Sequence, residues 1–180
     1  MSINKTRTIK IVDYDPQWSL VFTELGRAIE TTLGNLALSI EHVGSTSVPG
    51  LAAKPIIDLD VVIESNARLP DVIQSLAVLG YVHEGDLGIA GREAFARQGQ
   101  DVPRDGTGRT WLNHHLYVCV QDSSELKRHL AFRDYLRKNP DAVRAYSELK
   151  RQLAQRFPHD IDSYIEGKKT FVEESLKRAG

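Results

Sequence analysis

The chain is poor in several features that would decide its class at once. It has one cysteine, Cys119, in 180 residues. A disulfide framework is therefore excluded, and no Cys/His pairs have the spacing of a zinc site. Cys119 lies in the apolar run 116–120 and reads as a buried, inert thiol of a reducing compartment. No stretch approaches the ~20 apolar residues of a membrane span, and residues 1–10 hold no apolar signal core. The expected location is the cytoplasm. Neither sign of charge dominates, since 23 Lys+Arg against 24 Asp+Glu leave −1. That argues against broad non-specific binding of nucleic acid. Internal repeats and low-complexity linkers are absent. What is present, 41% hydrophobic and 26% charged residues, suits a folded globular unit with a real core.

Local patterns place strands first and helices last. Residues 9–12 read as a short strand, and Asp15-Pro16 as the start of a helix with Leu20, Val21, Leu25, Ala28 and Ile29 on its apolar face. Residues 36–43 and 56–63 read as strands. Residues 70–79 read as a helix with Val72, Ile73, Leu76 and Ala77 inward, closed by Gly80. Tyr81-Val82, 94–97 and 115–120 supply further strands. Residues 98–110, rich in Gly, Asp, Arg and Thr, read as a mobile loop. From Asp122 the pattern is helical, with Asp122 and Glu125 spaced as a capping box. Breaks fall at Asn139-Pro140 and Pro158-His159. The middle helix aligns Ala142, Tyr146, Leu149 and Leu153, and the last aligns Ile161, Ile165, Val172 and Leu176. The expected organisation is an α/β core over 1–121 and a helical extension over 122–180, packed as one unit.

The chemistry concentrates in residues 42–61. Gly44-Ser45 ends an apolar run, and such a turn brings backbone N–H groups close to a phosphate. The strand that follows carries Asp58 and Asp60 among Ile56, Ile57, Leu59, Val61, Val62 and Ile63. Residues i and i+2 share a strand face, so the two carboxylates project together. Acids in so apolar a strand need a counter-charge, and a hard divalent cation (Mg²⁺ or Mn²⁺) shared with substrate phosphates supplies one. The stretch is not a P-loop, because Lys54 precedes Pro55 and opens no helix.

These residues resemble the nucleotidyltransferase superfamily pattern, hydrophobic-Gly-Ser followed by Asp-hydrophobic-Asp-hydrophobic. Here it is Val43-Gly44-Ser45 and Asp58-Leu59-Asp60-Val61. The unbroken stretch from Glu41 to Asp58 narrows the resemblance to the GrpB family of that superfamily. Gly80-Tyr81-Val82, Gly91-Arg92, His114-His115-Leu116, Phe132-Arg133-Asp134-Tyr135-Leu136-Arg137, Tyr164, Lys168 and Phe171 extend it over about residues 9–178. The resemblance implies a nucleotidyltransferase-like mixed α/β (α+β) sheet flanked by helices, with a C-terminal helical extension. Members also occur joined to dephospho-CoA kinase. Two departures stand out. The strand that would carry a third carboxylate, 114–120, contains no acid, and Tyr117 stands where the family more often has histidine.

On this reading Asp58 and Asp60 hold the metal. Gly44, Ser45, Ser47, Lys54, Arg92 and Lys168 are candidates for the nucleotide. His115 is the candidate acid–base group, because alternation puts His115, Tyr117 and Cys119 on one strand face and His114 on the other. The expected activity is metal-dependent transfer of a nucleotidyl group from an NTP to an unknown small acceptor. A silent nucleotide-binding module and an adenylate-forming ligase using the same aspartates are the alternatives. No membrane partner is expected.

Overall fold

A computed structural model describes residues 8–180. Five strands form one mixed sheet in the order β1-β2-β5-β4-β3. They are β1 (Ser39–Val43), β2 (Ile57–Ile63), β3 (Tyr81–Gly85), β4 (Glu93–Arg97) and β5 (His114–Val120). The β2–β5 pair at the centre is parallel and every other pair is antiparallel. Helix α1 (Gln17–Leu33) precedes β1, α2 (Leu69–Val78) lies between β2 and β3, and three helices close the chain: α3 (Ser124–Lys138), α4 (Pro140–Arg156) and α5 (Ile161–Ala179). This is the expected mixed sheet flanked by helices, with 122–180 entirely helical apart from its turns.

Alternation along β2 divides the molecule. Ile57, Leu59, Val61 and Ile63 point into the main core with Leu25, Ile29, Val72, Leu76, Leu116 and Val118. Asp58 and Asp60 point to the opposite, site-bearing face. Burying the odd-numbered aliphatics stabilises by about 1.5–3 kcal/mol each, so the register that places both acids on one face is strongly specified. On that face α3 covers the far end, where Leu126 packs on Val62 and Cys119. A second cluster joins Val48 and Leu51 to Leu136, Val143 and Tyr146 of the helical segment. Gly167 lets α5 lie against Leu153 of α4, where a Cβ would strike that side chain.

Several local expectations are corrected. Residues 9–12 form no strand in the sheet; Val12 makes a single bridge to Ala53, and the Ile9 N–H donates to the Pro158 carbonyl. The segment pairs with loops, so no ladder grows. The first helix starts at Gln17, with Asp15 accepting from the Gln17 N–H at 2.9 Å. Leu20 is exposed, because the buried stripe runs Trp18, Leu25, Ile29, Leu33. Ala77 is exposed on α2. Residues 34–36 form a 3₁₀ turn, which delays β1 to Ser39. Ser123, not Asp122, caps α3 by accepting from the Leu126 N–H at 3.2 Å, and Glu125 turns to other partners. The 98–110 loop is tied down: Val102 and Trp111 are buried in the core, and the Trp111 indole N–H donates to the Pro103 carbonyl at 2.9 Å. On α5 the buried residues are Tyr164 and Ser175, while Ile161 and Ile165 face solvent.

Candidate functional site

The site grows from the turn after β1. Gly44 has φ 69° and ψ −174°, a backbone open essentially to glycine alone. A Cβ there would overlap the Asp58 carboxylate, so glycine brings the turn against the first acid of β2. Below the turn, His42 and Thr46 fix its base. The Thr46 hydroxyl donates to the Ile56 carbonyl at 3.2 Å and accepts from His42 Nε2–H at 3.0 Å, while the His42 ring stacks on Phe22. Burial, with help from Arg137 and Arg133 against the pull of Asp58, lowers the His42 pKa to about 4. Ser47 is buried inside the turn and its hydroxyl donates to the Gly44 carbonyl. It serves the turn's own geometry. From α3, Arg137 donates twice to the Ser47 carbonyl, at 3.0 and 2.7 Å, and Arg133 reaches Glu41 at 2.9 Å. The helical segment thus clamps the glycine turn from outside.

Three ammonium groups gather beside Ser45. Lys150 of α4 is 2% exposed, and its Nζ donates to Ser45 Oγ at 2.9 Å. Lys168 of α5 and Lys54 both approach one aromatic ring, 4.5 and 5.5 Å from the Tyr164 ring centre. Lys150 lies 4.6 Å from the Tyr146 ring centre. No carboxylate forms an ion pair with any of the three among the described residues. Burial first, then mutual repulsion, pushes the Lys150 pKa well below the ordinary lysine value. The same two causes bring Lys168 to about 8, with Asp58 opposing, and burial lowers Lys54. Crowding like charges out of water is costly, and a polyanion is the ligand that relieves it.

The two aspartates differ in surroundings. Asp60 is fully buried. Its Oδ2 accepts from His129 Nδ1–H of α3 at 2.6 Å, and His129 Nε2–H donates to Glu125 at 3.0 Å. Burial opposes charge on His129, but the hydrogen bond to Asp60 and the charges of Asp60 and Glu125 outweigh it and raise its pKa. The second oxygen, Asp60 Oδ1, is buried with no hydrogen-bond partner among the described residues. Asp58 is partly open and accepts from His115 Nδ1–H at 2.8 Å. In the neutral ring that bond puts the proton on Nδ1 and makes Nε2 the acceptor. Across the parallel β2–β5 ladder, His115 stands opposite Asp58 and Tyr117 opposite Asp60. Arg92 stacks on Tyr117, its guanidinium carbon 4.1 Å from the ring centre, and lines a small cavity with Gly44, Asp58 and His129.

The two acids are hard oxygen donors of the kind a divalent cation takes. Two carboxylates share a face, and one buried oxygen of Asp60 has no other partner among the described residues. Among the described residues no three His, Cys, Asp or Glu side chains converge as a metal cluster. Magnesium is held elsewhere by one or two carboxylates plus phosphate oxygens. His114, the other member of the pair, is buried on the opposite face between the Leu112 carbonyl and the Tyr81 hydroxyl.

With this geometry in place, comparison with known proteins decides the family. The family model described as GrpB protein matches residues 8–178. The chain belongs to the GrpB family. It is 34% identical over 180 residues to the glutamate-rich protein GrpB of Alkalihalophilus pseudofirmus, covering 98% of each chain. It is 36% identical over 175 residues to the UPF0157 protein YqkA of Bacillus subtilis, covering 96% of this chain and 48% of that one. The chain therefore spans about half the length of that relative. A relative named dephospho-CoA kinase, from Mycolicibacterium paratuberculosis, is 29% identical over 188 residues, with 46% of its length matched. Among solved structures, GrpB from Enterococcus faecalis superposes at a TM-score of 0.79 with 37% identity, over 94% of this chain and 96% of that one.

The structure gathers Gly44, Ser45, Lys54, Asp58, Asp60, Arg92, His115 and Lys168 around one face. Ser47 lies behind that face, inside the turn. Arg97, at the end of β4, is engaged away from the aspartates, its guanidinium donating to the Gln100 carbonyl at 3.0 Å and the Leu112 carbonyl at 3.4 Å. Two members of the site escaped the sequence reading. Lys150 occupies the buried stripe Val143, Tyr146, Lys150, Leu153 of α4, so a lysine at an apolar-stripe position was the available signal. His129 follows Glu125 by four residues on α3, a spacing that joins them on a helix face but says nothing of Asp60.

Among the described residues no helix is long and apolar enough to cross a membrane.

Proposed function

We propose that the chain is a nucleotidyltransferase acting on a nucleoside triphosphate. The observation that carries this reading is the trio Lys54, Lys150 and Lys168, with Ser45, set beside a glycine turn that touches Asp58. Three neighbouring cations without ion-paired carboxylates among the described residues suit the distal phosphates of a triphosphate. Asp58 and Asp60 are the residues that would hold Mg²⁺ or Mn²⁺, which supplies charge neutralisation at the reacting phosphate when bound. His129 holds one Asp60 oxygen and so fixes the carboxylate's orientation. The Gly44 turn positions the triphosphate against the acids, and His115, oriented by Asp58, accepts the acceptor's proton at Nε2. The acceptor's oxygen bonds to the α-phosphorus, the α–β phosphoanhydride bond breaks, and pyrophosphate leaves. Positioning and neutralisation do most of the work in such a displacement. The relative named dephospho-CoA kinase supports a nucleotide or coenzyme setting.

A second reading is favoured by one observation: the partner strand offers His115 and Tyr117 opposite Asp58 and Asp60, and no third acid. On that reading the chain binds nucleotide and does not turn over. Pyrophosphate release, measured with each NTP in Mg²⁺ and in Mn²⁺ over a broad acceptor panel, separates the two. Release that is lost in Asp58→Asn supports transfer. Tight nucleotide binding with no release under any condition supports the binding module.

A further inference from the structure

The site-bearing face of the sheet continues beyond His115. Helices α3 to α5 cover the β1–β2 end, but over β5, β4 and β3 a cavity of about 600 Å³ stays open, a volume suited to a small molecule. Its floor is small: Ala94 lies opposite Tyr117, and Ala96 opposite Val82. Its rim carries three side-chain amides, Gln98, Gln100 and Asn113. Leu87 overhangs it with φ 49°, a strained backbone for a residue with a Cβ and one that tends to accompany ligand-holding loops. His115 forms the wall nearest Asp58.

The charges of this groove differ from those of the lysine corner. Its one lining cation, Arg97, is already engaged, donating to the Gln100 carbonyl at 3.0 Å and the Leu112 carbonyl at 3.4 Å. Its lining acid, Glu84, is exposed and has no ion-pair partner among the described residues. Arg92 lies on the far side of this boundary, stacked on Tyr117 and lining the neighbouring cavity with Asp58, so within the groove an ammonium would meet the free carboxylate of Glu84 and an anion would meet no free cation of the lining. Amide side chains both donate and accept, and so suit hydroxyl groups.

We propose that this groove is the acceptor subsite and takes a small amino alcohol of the amino-sugar class, with its ammonium at Glu84, its hydroxyls on the amides and one hydroxyl against His115. The inference rests on the nucleotidyl-transfer reading and adds the acceptor's chemical class. The attacking group is that hydroxyl: its oxygen bonds to the α-phosphorus, its proton passes to His115 Nε2, and pyrophosphate departs with the electrons of the broken P–O bond.

The test is a set of NMR titrations of the whole chain, following backbone amides of β4 and β5. The probes share one ring: glucosamine, glucose, glucuronate and glucose 6-phosphate. The expected result is glucosamine binding at the groove at least about fivefold tighter than either anion, with glucose between. Glu84→Gln should erase the preference for glucosamine over glucose, and Ala96→Phe should block all four by filling the floor. Binding of a non-hydrolysable ATP analogue, measured on the same samples, should be unchanged in both variants. Equal or tighter binding of the anions, an unaltered preference in Glu84→Gln, or no shift from any probe would overturn the proposal. Groove binding with the expected preference but no binding of the ATP analogue would overturn the transfer reading while leaving the ligand class standing.

Discussion

On the β1–β2 side of the site, three ammoniums stand together with no ion-paired carboxylate among the described residues. On the β4–β3 side, the Glu84 carboxylate has no ion-pair partner among the described residues. The first corner is enclosed by α4 and α5, with Lys150 buried; the second lies open and is rimmed by amides. Buried, unpaired charge is expensive, and a fold keeps it where a ligand of opposite sign completes the site. Exposed charge costs little and selects partners instead. On the proposed reading, the corner would supply affinity for phosphate and the groove the choice of acceptor. His115, bonded to Asp58 and lining the groove, stands where the two meet.

The largest expected effect is at that junction. His115→Ala should lower turnover roughly 10²–10⁴-fold, the usual range for a lost acid–base group, while the nucleotide Kd moves less than about threefold. Single-turnover kinetics with nucleotide titrations check both. An equal loss in both quantities would place His115 in the phosphate corner and break the division. Next comes Lys150→Met, which should weaken ATP-analogue binding by about a hundredfold. The same variant should raise stability by about 1 kcal/mol, because it removes a buried, unpaired charge. Calorimetry and urea unfolding measure the two together, and a destabilised variant would show that Lys150 is held for structure. Gly44→Val should weaken nucleotide binding about tenfold or more and cost roughly 1–3 kcal/mol, through backbone strain and displacement of the Asp58 carboxylate. Unchanged affinity would make the turn ordinary.

The smallest effect is the dependence on pH. Lys168 loses its proton near pH 8, so nucleotide affinity should fall a fewfold as pH rises through that value. Stability should move the other way. The folded-state pKa lies below the ordinary 10.5, so the unfolded chain binds more protons between the two values. The contribution of Lys168 to stability therefore rises with pH across that window. Affinity and stability that rise together would remove Lys168 from the phosphate corner.

Much of this was legible in the sequence, for identifiable reasons. Asp58 and Asp60 share a face because the strand period of two is fixed by the backbone, and the same rule separated His115 from His114. The Gly44-Ser45 turn was legible because glycine marks backbone that other residues avoid. That His115 lies opposite Asp58 depends on the parallel β2–β5 pairing, which joins residues 57 apart in sequence, and no local pattern encodes such a pairing. Helix α5 misled a hydrophobic reading, since it exposes Ile161 and Ile165 and turns Tyr164 and Lys168 toward the site. Apolar periodicity finds faces that are buried for packing; it misses one that is buried around a charge. Lys150 escaped for the same reason, although its place in the α4 stripe gave it away. The Asp60–His129 bond joins a central strand to a helix whose apolar pattern is weak, and sequence spacing carried no trace of it.

The most direct test of the account is a crystal structure of the chain with a non-hydrolysable NTP analogue and Mn²⁺. The account predicts distal phosphates against Ser45, Lys150 and Lys168, an anomalous manganese peak between Asp58 and Asp60, and an open groove beside His115. Phosphates lying in the β4–β5 groove, with no manganese at the two aspartates, would contradict it.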